Sequence, residues 1–201
     1  MNPLIRIRRV PTVSHTLIAC LVAGSALFLS GCVSDSGGSL PKRLFITSQV
    51  YTGNFGGIRG GDSICNTLAT AAILGGKWKV FLSDDSAGAL ARTGEVGPWF
   101  RTDRTTKIFN NRVGFTVGAL APVYNEYGSS VASSARAWTG TRADGTADGS
   151  QNCSDWTSDT GSVYGTAGNP NKLLADGPKW MFSNEGAAPC TSQCRLYCFE
   201  Q

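Results

Sequence analysis

Histidine is nearly absent from this chain: the single one in 201 residues is His15. Nothing after it can build a Ser–His–Asp or Cys–His catalytic arrangement. Long apolar runs are missing too. The most apolar stretch, Leu17 to Leu29, falls short of the roughly 20 residues a bilayer-crossing helix needs. Charged residues make up only 16% of the chain, so the balance of sign matters more than the total. The 18 basic residues exceed the 14 acidic ones, but Arg6, Arg8 and Arg9 lie in the first 31 positions, leaving 15 against 14 beyond them. That near-neutral balance lacks the clustered excess of base that nucleic acid requires of a partner. No repeat at solenoid spacing is present. Paired carboxylates occur at Asp84-Asp85, at Asp144 with Asp148, and at Asp155. Asp84 and Asp85 follow a strand-like run and read as turn chemistry. No motif joins an acid, a base and a bound substrate, so no catalytic residue is expected.

What is present begins with a tripartite N-terminus. Arg6, Arg8 and Arg9 form a basic start without acids, the apolar run follows, and it ends at Leu29-Ser30-Gly31-Cys32. The first two parts are those of a secretory signal. The last four residues resemble the lipobox of bacterial lipoproteins, in which small residues admit the signal peptidase and the cysteine thiol takes the lipid. The resemblance implies that residues 1–31 are removed, with His15 and Cys20 among them, and that Cys32 carries a membrane anchor. Val33 stands where an aspartate retains some lipoproteins in the inner membrane, which points to the outer membrane. Residues 32–42 read as a lipidated tether (VSDSGGSLPK after the cysteine), being small, polar and broken by Gly-Gly and Pro. Residues 43–201 remain, about 160 residues, enough for one domain with a real core.

Within that domain, Arg43 to Thr47 reads as a strand, and Tyr51 to Gly61 as a glycine-rich loop. Asp62 or Ser63 is placed to cap a helix. Ile64, Cys65, Leu68, Ala69 and Ala72 repeat at helical spacing on its inner face, and Gly75-Gly76 ends it. Lys77 to Ser83 is a core strand, Ala87 to Arg92 has helical character, and Trp99 to Arg101 and Lys107 to Phe109 are short extended runs. Past Val123 the chain is mostly Gly, Ser, Thr, Asn and Asp, until Cys194 to Phe199 closes it as a strand. So long an irregular stretch is usually functional or stapled. The five cysteines after Cys32, at 65, 153, 190, 194 and 198, suggest staples. Zinc competes because Cys190, Cys194 and Cys198 cluster, but there is no CxxC and no histidine after residue 15.

Several segments carry a family resemblance. Gly56-Gly-Ile-Arg-Gly-Gly-Asp62, Cys65, Lys79-Val-Phe-Leu-Ser83, Ala137-Trp-Thr-Gly140, Cys153-Ser-Asp-Trp156 and Arg195-Leu-Tyr-Cys-Phe-Glu200 resemble, in order and spacing, the endostatin domain of collagens XV and XVIII. Bacterial lipoproteins of this type, including the endostatin-like surface proteins of leptospires, look closer still. The resemblance implies an α+β, C-type-lectin-like fold. It pairs Cys65 with Cys198 and Cys153 with Cys190, leaving Cys194 without a partner. It does not extend to the zinc site of endostatins, which depends on N-terminal histidines.

Three binding chemistries follow as expectations. Asp144-Gly-Thr-Ala-Asp148-Gly-Ser-Gln-Asn152 offers oxygen ligands for calcium, but lacks EF-hand spacing and the Glu-Pro-Asn or Gln-Pro-Asp tripeptide of sugar-binding lectins. Polar turns are the simpler reading, and no cofactor is expected. Arg101, Arg104, Lys107 and Arg112 form a candidate ligand-binding patch, with Arg59, Arg136 and Arg142 as further members, although Asp103 among them and the near-neutral balance make a solvated mixed surface the simpler reading. Trp78 reads as core, and Trp138 and Trp156 as packing near the second disulfide, with a sugar platform at Trp138 as the alternative. The resemblance to the leptospiral proteins implies host matrix proteins such as laminin or fibronectin, and soluble complement regulators, as partners. Carbohydrate or glycosaminoglycan binding, and a structural envelope role without a host ligand, are the alternatives.

Overall fold

The elements follow one another as β1 (Lys42–Ile46), α1 (Gly57–Ala71), β2 (Trp78–Val80), α2 (Ala89–Arg92), β3 (Trp99–Phe100), β4 (Lys107–Phe109), α3 (Gly114–Val117), β5 (Ala137–Trp138), β6 (Tyr164–Gly165), β7 (Ala167–Gly168), β8 (Ala188–Pro189) and β9 (Arg195–Glu200). The computed structural model describes residues 40–94, 96–183 and 187–201. The expected signal at 1–31, the expected lipidation at Cys32 and the expected tether up to residue 39 lie outside the described residues. The result is a mixed α+β, loop-rich fold with two disulfides.

The last strand sits in the middle of the sheet. β9 pairs antiparallel with β1 through Leu44↔Phe199, Phe45↔Cys198 and Ile46↔Tyr197. It also pairs antiparallel with β2 through Trp78↔Glu200, Lys79↔Phe199 and Val80↔Cys198, and its start runs parallel to β5. β3 and β4 extend the sheet beyond β1, and β7 extends it beyond β5. β6 and β8 form a separate two-stranded ribbon.

Period-two alternation divides the apolar residues of these strands between two cores. Phe45, Val80, Leu82, Leu196 and Cys198 face a cluster shared with α1, Trp138, Trp156 and the other cysteines. Leu44, Ile46, Phe81, Tyr197 and Phe199 face an aromatic cluster with Trp99, Phe109, Phe115 and Trp180. Because both faces are covered, these strands read as nearly unbroken apolar runs rather than as alternating ones.

Helix α1 starts earlier than the sequence suggests. It opens at Gly57, after Gly56 at φ 86°, and no side chain caps it. Asp62 and Ser63, expected as caps, lie inside it. The glycines that read as a loop are helical because the first turn presses on β2: a Cβ on Gly61 would stand 2.8 Å from Val80 Cγ1. Asp62 is thereby free for another task. Its Oδ1 accepts from the Val80 N–H at 2.9 Å, and its carboxylate receives Arg92 Nη2 at 2.7 and 2.8 Å. One turn on, Asn66 Oδ1 accepts from the Trp78 N–H at 3.0 Å, and its Nδ2 donates to the Trp78 carbonyl at 2.7 Å. Two side chains of α1 thus replace the missing neighbour strand along the outer edge of β2, satisfying backbone groups that would otherwise be unpaired. Helix α3 has no counterpart in the sequence reading. It is a single turn beginning on Gly114, and its Phe115 is drawn into the aromatic cluster.

Replacing Asn66 by Leu removes both bonds to Trp78 while keeping the branched shape of the side chain. The expected loss is about 1–3 kcal/mol in urea denaturation of the oxidised protein. An unchanged midpoint would show that water takes over both groups.

Candidate functional site

The four basic residues between 101 and 112 do not form an open patch. The Arg101 guanidinium lies 3.5 Å from the centre of the Tyr124 ring, and its Nε donates to the Pro122 carbonyl at 2.9 Å. Arg104 turns inward, donating to the Pro41 carbonyl and standing 3.4 Å from Glu200 Oε1. Lys107 is exposed beside the Phe100 ring, and Arg112 is half-buried. Of the further candidates, Arg142 is 3.2 Å from Asp148 Oδ1, while Arg59 is exposed on α1. The expectation of a shared cationic surface is corrected for Arg101 and Arg104: carbonyls, a ring and a carboxylate already hold them.

Arg104 belongs to a charge cluster under the chain entry. Arg43 forks onto Glu200, Nε to Oε2 at 2.8 Å and Nη2 to Oε1 at 2.5 Å, and its backbone N–H adds a third bond at 3.0 Å. Burial opposes ionisation of Glu200, but the hydrogen bonds and charge of Arg43, aided by Arg104, outweigh it and hold the carboxyl below its ordinary value.

Trp138 is likewise corrected as a sugar platform. It is 0% exposed, because β5 lies between β9 and β7, and its Nε1 donates to the Tyr51 carbonyl at 2.9 Å. Its ring packs 5.8 Å from that of Trp156.

The irregular segment is organised around an unusual turn. Cys153, Ser154, Asp155 and Trp156 all have positive φ, between 52° and 63°, so they form one left-handed helical turn. Non-glycine residues adopt this conformation at a cost of roughly 1–2 kcal/mol each, so it persists only where the surroundings compel it. Three constraints do so. Cys153 is bonded to Cys190. Trp156 is buried and donates its Nε1 to the Ser83 carbonyl at 2.9 Å. Asn152 accepts the Asp155 N–H at 3.1 Å, while its Nδ2 reaches Asp85 Oδ1 at 2.9 Å and Asp155 Oδ1 at 3.0 Å. The Asp85 N–H closes the group onto Asp155 Oδ1 at 2.9 Å. The close fit also requires a bare backbone at Gly165, where a Cβ would lie 2.8 Å from Cys153 Sγ.

The candidate calcium ligands are dispersed by the same turns. Asp144 caps its own loop through the Thr146 N–H and hydroxyl at 2.9 and 2.6 Å. Asp148 accepts from the Thr166 hydroxyl at 2.8 Å, and Asn152 faces the other way, toward Asp85. Among the described residues no group of three or more His, Cys, Asp or Glu is arranged to hold a metal ion.

The cysteines divide as the family resemblance implies. Cys65 is joined to Cys198, tying α1 to β9 across 133 positions, and Cys153 to Cys190 across 37. Cys190 and Cys198 are therefore unavailable to zinc. Cys194 is a buried free thiol. Its backbone pairs with Tyr51, and burial pushes its pKa up to about 12 against the opposing charge of Arg136.

A family model described as "Protein of unknown function (DUF1554)" matches residues 48–173, more than half of the chain. The chain belongs to the DUF1554 family. The matched DUF1554 region contains α1, the left-handed turn and one cysteine of each disulfide; Cys190 and Cys198 follow it. No curated protein matches the chain.

In the sequence Asp85 stands in a separate segment from Asn152 and Asp155, with no shared pattern. Asp85 lies 67 positions before Asn152, and nothing in either segment signals the contact.

The native thiol of Cys194 is expected to resist alkylation at pH 8 and to react once the chain is unfolded. A non-reducing peptide map that joins Cys194 to Cys190 or Cys198 would overturn the assignment. The unfolded chain ionises this thiol from about pH 9, where the folded one does not, so Cys194 makes stability fall as pH rises through that range. By the loop-entropy model, loss of Cys65–Cys198 costs about 5 kcal/mol and loss of Cys153–Cys190 about 4. Paired Cys→Ala variants compared in urea give the order; the reverse order would show that native-state packing, not loop length, decides it.

Proposed function

We propose that this chain is an outer-membrane lipoprotein, anchored through Cys32 and exposed at the cell surface, whose C-type-lectin-like domain binds extracellular macromolecules. The partners suggested are host matrix proteins such as laminin or fibronectin, together with soluble complement regulators. It acts as a binding module rather than an enzyme. The observation that carries the reading is the disulfide pairing: Cys65–Cys198 and Cys153–Cys190 are the pairs that the endostatin-like resemblance implies. The second pair pins the long polar segment, and a segment ordered before binding loses less conformational freedom when a large partner settles on it. The anchor rests on the lipobox-like Leu29-Ser30-Gly31-Cys32.

Carbohydrate or glycosaminoglycan binding has less support, since Trp138 is buried and Arg101 and Arg104 are held within the domain. Fold does not fix function, so the ligand class must come from binding itself.

The test uses the mature chain with Cys32→Ser, oxidised, against immobilised laminin, fibronectin, complement regulators and heparin, with the reduced and unfolded chain as control. The expected result is saturable binding to one of the proteins, absent from the control and nearly unchanged by added salt. Binding to heparin alone, falling steeply with ionic strength, would replace the reading with glycosaminoglycan recognition. Binding to none would leave the envelope role.

A further inference from the structure

Exposed apolar side chains are concentrated in one region of the domain. Val113, Val117, Leu120 and Leu174 line a groove of about 240 Å³ beside α3. Leu40 and Val96 line a second, of about 300 Å³, at the point where the described chain begins. These six are 43–72% exposed, and they are six of the ten large exposed hydrophobic residues among the described residues. The grooves adjoin: Gly97 lines the second, its Cβ position lies 3.0 Å from the Asn110 carbonyl, and Asn110 lines the first. Contiguous exposed apolar surface of this kind marks a contact with something.

The length of chain preceding Leu40 says what that contact is. Cys32 stands eight positions before Leu40. Fully extended, that distance is at most about 28 Å. A compact domain of about 160 residues is roughly 40 Å across. With Cys32 in a membrane, the side of the domain opposite Leu40 is out of reach of the bilayer, and the side bearing Leu40 is the one the tether keeps within about 28 Å of it. Among the described residues the linings of both grooves are apolar or uncharged apart from Lys42, a composition compatible with a lipid surface.

We propose that these two adjoining grooves form the face on which the domain rests on the bilayer holding its anchor. The inference rests on the lipid-anchor reading above. Tethering supplies the proximity, so the face needs only weak affinity of its own. A domain docked in this way presents the stapled left-handed turn away from the grooves, because α3 covers the aromatic core while that turn covers the other.

The test places a fluorescent reporter in the groove of the full acylated chain. Val113→Trp is reconstituted in vesicles of phosphatidylethanolamine and phosphatidylglycerol, with or without brominated acyl chains; Leu120→Trp is a second reporter and Tyr164→Trp a control. The five native tryptophans are buried and serve as the reference. Flotation of the same samples, with Cys32→Ser alongside, reports anchoring separately. The expected result is flotation, loss of most reporter emission at 113 and 120 in brominated vesicles, and none at 164. Adding Val117→Asp to the Leu120→Trp chain should restore the emission while flotation persists. A chain that floats but keeps its emission at 113 and 120 overturns the proposal and leaves the anchor standing. Shielding that depends on protein density rather than bromine assigns the face to a second copy and also overturns it. A chain that does not float removes the anchor and the proposal together.

Discussion

The fold depends on the position of its last strand. β9 comes from the final residues of the chain, yet it lies between β1 on one edge and β2 and β5 on the other. Its alternate side chains enter both cores, Leu196 and Cys198 on one face, Tyr197 and Phe199 on the other. Neither core is complete before the C-terminus arrives, so loop closure must precede most of the apolar reward, which makes such topologies slow to form. The Cys65–Cys198 bond fastens this strand to the first helix across 133 positions and so holds the closing strand in place covalently.

The two faces are held by different means. The face under α1 combines both disulfides with Trp138 and Trp156. The opposite face has no sulfur crosslink and relies on aromatic packing, with Phe115 at the centre of contacts to Phe81, Trp99, Phe109, Trp180 and Phe199. The difference follows from what covers each. A long polar segment buries little apolar area per residue and cannot offset its ordering entropy unaided, whereas a short turn bearing one large ring can.

Charge is used sparingly and mostly indoors. Arg43 and Arg104 converge on Glu200, Arg92 meets Asp62, and Arg142 meets Asp148. In a chain so poor in charge, the Arg43–Glu200 pair is almost wholly withdrawn from the surface, while Arg142 stays exposed beside Asp148. What the domain offers to a partner is accordingly polar loop and exposed apolar groove more than a field of one sign.

Much of this was legible in the residues alone. Strands β1, β2 and β9, the face of α1 that carries Cys65, and the stapling of the irregular segment all depend on side chains a few positions apart, so periodicity and cysteine placement reveal them. The start of α1 is not legible because glycines signal a loop unless a close neighbour demands them, and that neighbour, Val80, is 19 positions away from Gly61. The fates of Arg101, Arg104 and Trp138 were not legible, since each is decided by partners that only the folded sheet supplies. By itself the sequence determined the class of the domain, the excess of cysteine that staples it, and the scarcity of charge. Tertiary structure alone decided which cations are engaged, that Cys153–Trp156 turns left-handed, and that Leu40, Val96, Val113 and Leu174 share a surface. Those outcomes rest on contacts between residues tens of positions apart, and no local pattern encodes them.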